Sequence, residues 1–217
     1  DINKRIAILV ADGEITSGEG DNGSIGSTKF IKELRKARQD EKVKAIVLRI
    51  NSPGGSALAS DVMWREIQLT SKEKPIIASM SDVAASGGYC MAMGCDTIVA
   101  QPNTITGSIG IFGLIFNVTD FMNNKLGVTF DGVGTSPHSD WPTATRNMSD
   151  FEKSRIQKSV NQGYETFTTK AAAGRKMSVE KLKELASGRV WSGIEAKENG
   201  LVDVLGGILE AVKLAGD

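Results

Sequence analysis

Apolar residues recur along this chain in two patterns, continuous short runs and helical spacing, and the two alternate. Ile6-Ala7-Ile8-Leu9-Val10 is a short apolar run that predicts a strand. Thr16 to Ser27 is rich in Gly, Ser and Asp and predicts a mobile loop. Thr28 to Asp40 then places Phe30, Ile31, Leu34 and Ala37 at helical spacing, with Ser27 or Thr28 as the cap. Val43 to Ile50 reads as a second, buried strand. Ala57 to Leu69 follows as a helix capped by Ser56, Ile76 to Met80 as a third strand, and Ala85 to Met93 as another helix.

Beyond Met93 the pattern shortens. Thr97 to Ala100 predicts a strand, and Thr106 to Val118 is a glycine-rich apolar stretch. Phe151 to Ala173 predicts a long amphipathic helix and Val179 to Leu185 a short one starting after Ser178. Val190 to Gly193 leads into a helix over Ile194 to Asn199 that ends at Gly200, and Ile208 to Ala215 is a last helix. Strand and helix in alternation argue for an α/β fold of parallel βαβ units with helices on both faces. In such sheets the working residues gather at the carboxyl ends of strands. The reading is one domain over residues 1–217, with 150–217 as a helical C-terminal extension.

Composition narrows the function. The chain has 217 residues, 40% of them hydrophobic, enough for a sizeable core. Acidic and basic residues balance at 26 each, so bulk charge points to neither nucleic acid nor an anionic membrane. Cys90 and Cys95 lie on different sides of one predicted helix and read as small buried hydrophobes rather than a disulfide. With one histidine, His138, and no CxxC pair, no metal is expected, and no cofactor either. No window of 18 apolar residues exists, so no bilayer span is expected. The chain shows no signal peptide and begins at Asp1, which suggests a processed product or fragment.

Chemistry concentrates at two turns. Ile46 to Ile50 runs into Asn51-Ser52-Pro53-Gly54-Gly55, and Ile76 to Met80 leads to Ala84-Ala85-Ser86-Gly87-Gly88-Tyr89. A serine held at a strand-to-helix turn between small residues exposes its hydroxyl beside the unpaired N–H groups of a helix start. That is the environment an acyl-transfer nucleophile needs, while glycine N–H groups can receive a developing oxyanion. Taken singly, each has a plainer reading: an ordinary turn for Asn51 to Gly55, and a capping serine for Ser86. The glycine run from Thr106 to Gly113 lacks the Gly-Lys-Ser/Thr ending of a phosphate-binding loop.

These two motifs, followed by Thr106-Gly107-Ser108-Ile109-Gly110-Ile111, resemble the signature of the signal peptide peptidase A (protease IV) family. The later segment Gly188-Arg189-Val190-Trp191-Ser192-Gly193, with Ala196 and Asn199-Gly200-Leu201-Val202-Asp203, is similar to that family's ending. The match covers almost the whole chain in order. It implies a crotonase-like, Clp-protease-like fold of repeated ββα units, with a mostly parallel sheet and flanking helices. It implies a serine peptidase with a Ser/Lys dyad that degrades cleaved signal peptides, in a ring-like homo-oligomer on the periplasmic side of the bacterial inner membrane. By the family pattern Ser86 is the nucleophile. Gly87 and one of Gly54 or Gly55 supply the oxyanion N–H groups. The strand from Gly107 to Gly113, with Gly110, Ile111 and Gly113, holds the substrate backbone by strand addition.

One departure stands out. Short-form members carry a lysine after a Val-Gly pair. The comparable segment here, Gly132-Val133-Gly134-Thr135-Ser136-Pro137-His138-Ser139, has none. Long-form members carry a pair of such domains, the first with the lysine and the second with the serine. The chain therefore resembles the second half of a long-form enzyme, and its partner would be the N-terminal, lysine-bearing domain. His138 is a local substitute for the base, but a histidine in a polar loop is more simply solvated, as is Lys125. Trp64, Phe112, Phe116, Trp141 and Trp191 read as core or interface before they read as a substrate groove. Two other functions share the pattern: an acyl-CoA enzyme of the crotonase class and a non-catalytic assembly domain.

Overall fold

The computed structural model describes residues 4–216. Two units make up the chain: one from its start to Ile111 and from Gly163 onward, the other Phe112–Gln162.

The first unit is built on a mostly parallel sheet. Its strands, in spatial order, are β1 (Arg5–Asp12), β4 (Val43–Ser52), β5 (Ile76–Ala85), β6 (Thr97–Ala100) and β9 (Val204–Leu205), all parallel to their neighbours. The expected first three strands are β1, β4 and β5. The central strands are apolar on both faces because both are covered: Ile46, Leu48 and Ile50 join one core cluster, while Val47, Ile77 and Val99 join another beneath the last helix, α8 (Ile208–Gly216). On the first face lie α1 (Ser27–Gln39) and α2 (Ala57–Ser71). Glu66 of α2 is almost fully buried, and Arg35 and Arg38 of α1 bind it at 2.8 and 3.0 Å.

The structure departs from the sequence reading at several places in this unit. Thr16 to Ser27 is not all loop: β2 (Glu14–Thr16) and β3 (Ser24–Gly26) form a small parallel pair that buries Ile15 against Ile25. Helix α1 is capped at Gly26, without a side-chain hydrogen bond, rather than by Ser27 or Thr28. Strand β5 runs well past Met80, because β6 pairs with its first half and β7 (Ile105–Gly107) with its second. The helix expected from Ala85 starts later, as α3 (Gly87–Ala92). Ser56 and Ser178 do cap their helices, accepting from the N–H groups of Ala59 and Lys181.

The stretch 150–217 carries more than helices. After α5 (Asp150–Arg175) and α6 (Val179–Leu185), β8 (Val190–Ser192) pairs antiparallel with β7. Helix α7 (Gly193–Glu198) then leads to β9. A capping box formed by Ser192 and Glu195 starts α7.

The second unit holds one helical turn, α4 (Thr119–Phe121), which continues as a π-helical turn over Met122–Leu126. Its best-built part is an ionic knot. Arg146 binds both Asp140 and Glu152 at 2.7 Å, Ser149 N–H donates to Glu152, and His138 Nδ1 lies 3.1 Å from the same carboxylate. His138 also stacks on Phe151, with ring centroids 4.7 Å apart.

Candidate active site

Register brings the two glycine-bearing turns together. Ser52, the last residue of β4, pairs with Ala84 near the end of β5. The register shifts between Ile50 and Ser52, at Asn51. Its amide donates to Asp12 at 2.8 Å and its carbonyl accepts from Val83 N–H at 3.3 Å, so one side chain joins the ends of β1, β4 and β5. The sequence reading assigned no such role to Asn51. The only available signal was a polar residue closing an apolar strand.

Ser86 sits at the turn between β5 and α3 with φ +52° and ψ −114°. Positive φ is rare for a non-glycine residue, and such backbone costs of order 1–3 kcal/mol unless its surroundings fix it. They do: Ser86 N–H donates to the Gly107 carbonyl, and its own carbonyl accepts from Cys90 N–H, both at 2.9 Å. The hydroxyl plays no capping part. It makes no hydrogen bond among the described residues, and the side chain is partly exposed. The strained turn therefore leaves an unengaged hydroxyl oxygen, which a capping serine would not have.

Gly54 faces this oxygen. A Cβ at Gly54 would lie 2.7 Å from Gly87 N, 2.8 Å from Ser86 Cβ and 3.1 Å from Ser86 Oγ, and its φ is +105°. Only glycine permits that approach. Gly55 is equally confined, since a Cβ there would come within 2.2 Å of the Ile15 carbonyl oxygen. The N–H groups differ. Gly54 N–H donates to Ser52 Oγ at 3.2 Å, while those of Gly55 and Gly87 meet no acceptor among the described residues.

The backbone from Gly107 onward does not form the strand expected to Gly113. β7 ends at Gly107, where positive φ at Gly107 and Ser108 breaks the pleat. Ser108 N–H donates to the Arg189 carbonyl, and the Ile109 carbonyl accepts from Gly188 N–H. Ile109 is fully buried in the core, Ile111 packs against that core, and Gly110 is partly exposed beside Gly188. Gly113 belongs to the second unit.

The remaining candidates have other work. Cys90 and Cys95 are buried, and their thiols meet the carbonyls of Ser60 and Met91. Burial, with Asp61 nearby, pushes the Cys90 thiol up to about 12, so it is inert at neutral pH. Lys170 is paired with Asp61 and lies over the Trp64 ring. Trp191 donates to the Leu185 carbonyl at 3.0 Å. Phe112 and Phe116, in the second unit, are exposed. His138, expected in solvent, is instead bound to Glu152 within that unit. Among the described residues no cluster could hold a metal ion, and no helix is long and apolar enough to cross a membrane.

A serine on a strained strand-to-helix turn beside paired glycines offers an exposed hydroxyl next to free backbone N–H groups, which is what acyl transfer needs. The family model described as Peptidase family S49 matches residues 68–217. The chain belongs to peptidase family S49. Its parallel sheet with flanking helices is the Clp-protease-like, crotonase-like fold of that family. The S49 chain is 42% identical over 97% of its length to Serine protease SPPA, chloroplastic, of Arabidopsis thaliana, covering 32% of that protein. It is 44% identical over its full length to Protease 4 of Salmonella typhi and 40% identical over 99% to Protease 4 of Haemophilus influenzae, covering 35% of each. It thus spans about a third of the length of these relatives.

Proposed function

We propose that the chain is the nucleophile-bearing domain of a serine endopeptidase acting on apolar peptides, spent signal peptides among them. The observation that carries this reading is the uncapped Ser86 hydroxyl held at positive φ against Gly54. Ser86 Oγ attacks the scissile carbonyl carbon, and its proton passes to a general base and then to the departing amine. Water hydrolyses the resulting acyl-enzyme and frees Ser86.

The oxyanion is received by the N–H groups of Gly87 and Gly55. Gly54 is the less suited of the two glycines because its N–H is already given to Ser52, and its task is to leave room at Ser86. The substrate backbone lies along the segment containing Gly110, Ile111 and Gly113. Gly188 and Arg189 support its start by bonding the neighbouring Ser108 and Ile109.

The base is a lysine from a preceding homologous domain. His138 is a poor candidate because Glu152 and Phe151 already hold its ring. The greater length of the relatives leaves room for such a domain. The assembled enzyme is a ring-like homo-oligomer on the periplasmic face of an inner membrane.

Mixing experiments test the scheme. The chain alone should be nearly inactive on peptides, since base assistance is worth about 10²–10⁴-fold. The enzyme with its lysine-bearing domain should turn over, and should label with a fluorophosphonate at Ser86. Robust turnover by the chain alone, abolished by Ser86→Ala, would contradict the borrowed lysine. No labelling with both domains present would leave an assembly domain without catalysis.

A further inference from the structure

Strand β1 ends the main sheet on one side. Among the described residues it pairs only with β4. Its outer edge offers unpaired backbone groups along eight residues, with no proline among them. Ile8 and Val10 stand open on it, 50% and 69% exposed. Along the edge runs a groove of about 520 Å³ between β1 and α1, with Leu9, Phe30, Glu33 and Lys36 among its lining residues.

The charges on the α1 side of this groove complement themselves when reversed, while Ile8 and Val10 share the parity of Ile6, which packs on the opposite, α8 face of the sheet. Lys29, Glu33, Lys36 and Asp40 follow one stripe along α1 and its C-cap, all exposed and all bordering the groove. Turned end for end about a point midway between Glu33 and Lys36, Lys29 falls opposite Asp40 and Glu33 opposite Lys36.

Strand β1 has the same property. In an antiparallel pair about a two-fold axis, opposed side chains share a face, so opposed residues share parity. With Ile8 on the axis, Ile6 meets Val10 and Lys4 meets Asp12. Both rows border one groove. Helix α1 runs back along β1, so that its end is beside the start of the strand, where Arg5 N–H donates to the Lys42 carbonyl at 2.8 Å.

We propose that this sheet edge joins two copies of the chain about a two-fold axis through Ile8. The β1 strands pair antiparallel and continue the sheet, and the α1 stripes lie across the axis from each other. An isologous contact needs a surface that is its own complement. A charge row that inverts on reversal beside an apolar strand edge meets that need. The inference does not rest on the peptidase reading.

Single cysteines in the intact protein test it. Opposed Cα atoms in such a pair lie about 4.5–5.5 Å apart, within disulfide reach. Ile8→Cys should therefore give a covalent dimer under mild oxidation. Val10→Cys should not, because it lies about 13 Å from its own copy, four residue steps along the strand. Cys90 and Cys95 are buried and do not compete. Glu33→Lys and Lys36→Glu should each weaken self-association by about tenfold or more in sedimentation equilibrium, because each opposes like charges twice per dimer. The double variant should restore it. No crosslink at Ile8, equal crosslinking at both positions, or a double variant as weak as the singles would overturn the proposal.

Discussion

Tyr89 Oη donates to the Leu201 carbonyl oxygen at 3.0 Å, across 112 residues of sequence. Tyr89 is fully buried, and burial pushes its hydroxyl well above the ordinary tyrosine range, against the opposing pull of Arg175. Around it, Arg175 binds the Gly200 carbonyl and Asp203, and Asp203 accepts from Ile98 N–H. The helix that follows the Ser86 turn is thus anchored by the Asn199 to Asp203 segment. Two distant motifs of the sequence are one structural device.

Tyr89→Phe keeps the ring and deletes the donor, leaving a buried carbonyl unpaired. It should cost about 1–3 kcal/mol. Urea denaturation of the chain measures it. A change within a few tenths of a kcal/mol would mean that water or another donor replaces the hydroxyl.

Gly54→Ala should damage both stability and catalysis. Its φ of +105° and the 2.7 Å approach to Gly87 N leave no room for a methyl group. Strain of order 1–3 kcal/mol is expected. Ser86 and Gly87 must also move, which should cost turnover on the scale of losing an oxyanion donor, about 10²–10³-fold. Gly18→Ala is the control. It has φ +82° and nothing within 4 Å of an added Cβ, so it should show strain alone. Equal activity losses in the two variants would refute the steric account of Gly54.

Much of this could be read from the chain, and the exceptions share a cause. Buried strands such as Val43–Ser52 announce themselves because both faces are apolar. The turn at Ser86 was legible because only small residues fit there. Ile15 and Ile25 are lone apolar residues in polar surroundings, so nothing local marks the β2–β3 pair that buries them. Ser81 and Asp82 interrupt the apolar run of β5, and pairing with β7 and with Ser52 of β4, together with the Asn51 bond, carries the strand on to Ala85. Glycine and serine at positive φ, Gly107 and Ser108, end β7 where apolar content alone suggested a longer strand. In each case a long-range partner or a backbone angle decides, and neither appears in local periodicity.

The second unit should loosen in acid. Hydrogen bonding from Arg146 outweighs the effect of burial and holds Glu152 well below its ordinary value of 4.5, and Asp140 is lowered by the same guanidinium. A carboxylate whose folded value is depressed stabilises the fold fully above its unfolded value and loses that contribution as pH falls through the folded one. The Phe112–Gln162 unit should therefore be steady from neutral pH to about 5 and weaken progressively below about 4. Trp141 fluorescence reports it. Glu152→Gln should weaken the unit at pH 7 and flatten the acid transition, and an unchanged profile would show that the knot contributes nothing.

Ser86→Ala separates chemistry from structure. The hydroxyl makes no hydrogen bond among the described residues and caps no helix, so deleting it opens no core cavity and strands no buried group. The backbone strain at φ +52° persists, because alanine tolerates that angle no better than serine. The melting temperature should stay within a few degrees, corresponding to less than about 1 kcal/mol. Activity of the assembled enzyme should fall to background and fluorophosphonate labelling should vanish. Ser86→Cys puts a more nucleophilic atom at the same site. Thiol-directed electrophiles should then label the introduced thiol but not Cys90, which is buried. A loss of several kcal/mol in Ser86→Ala would instead show that the hydroxyl holds the turn together.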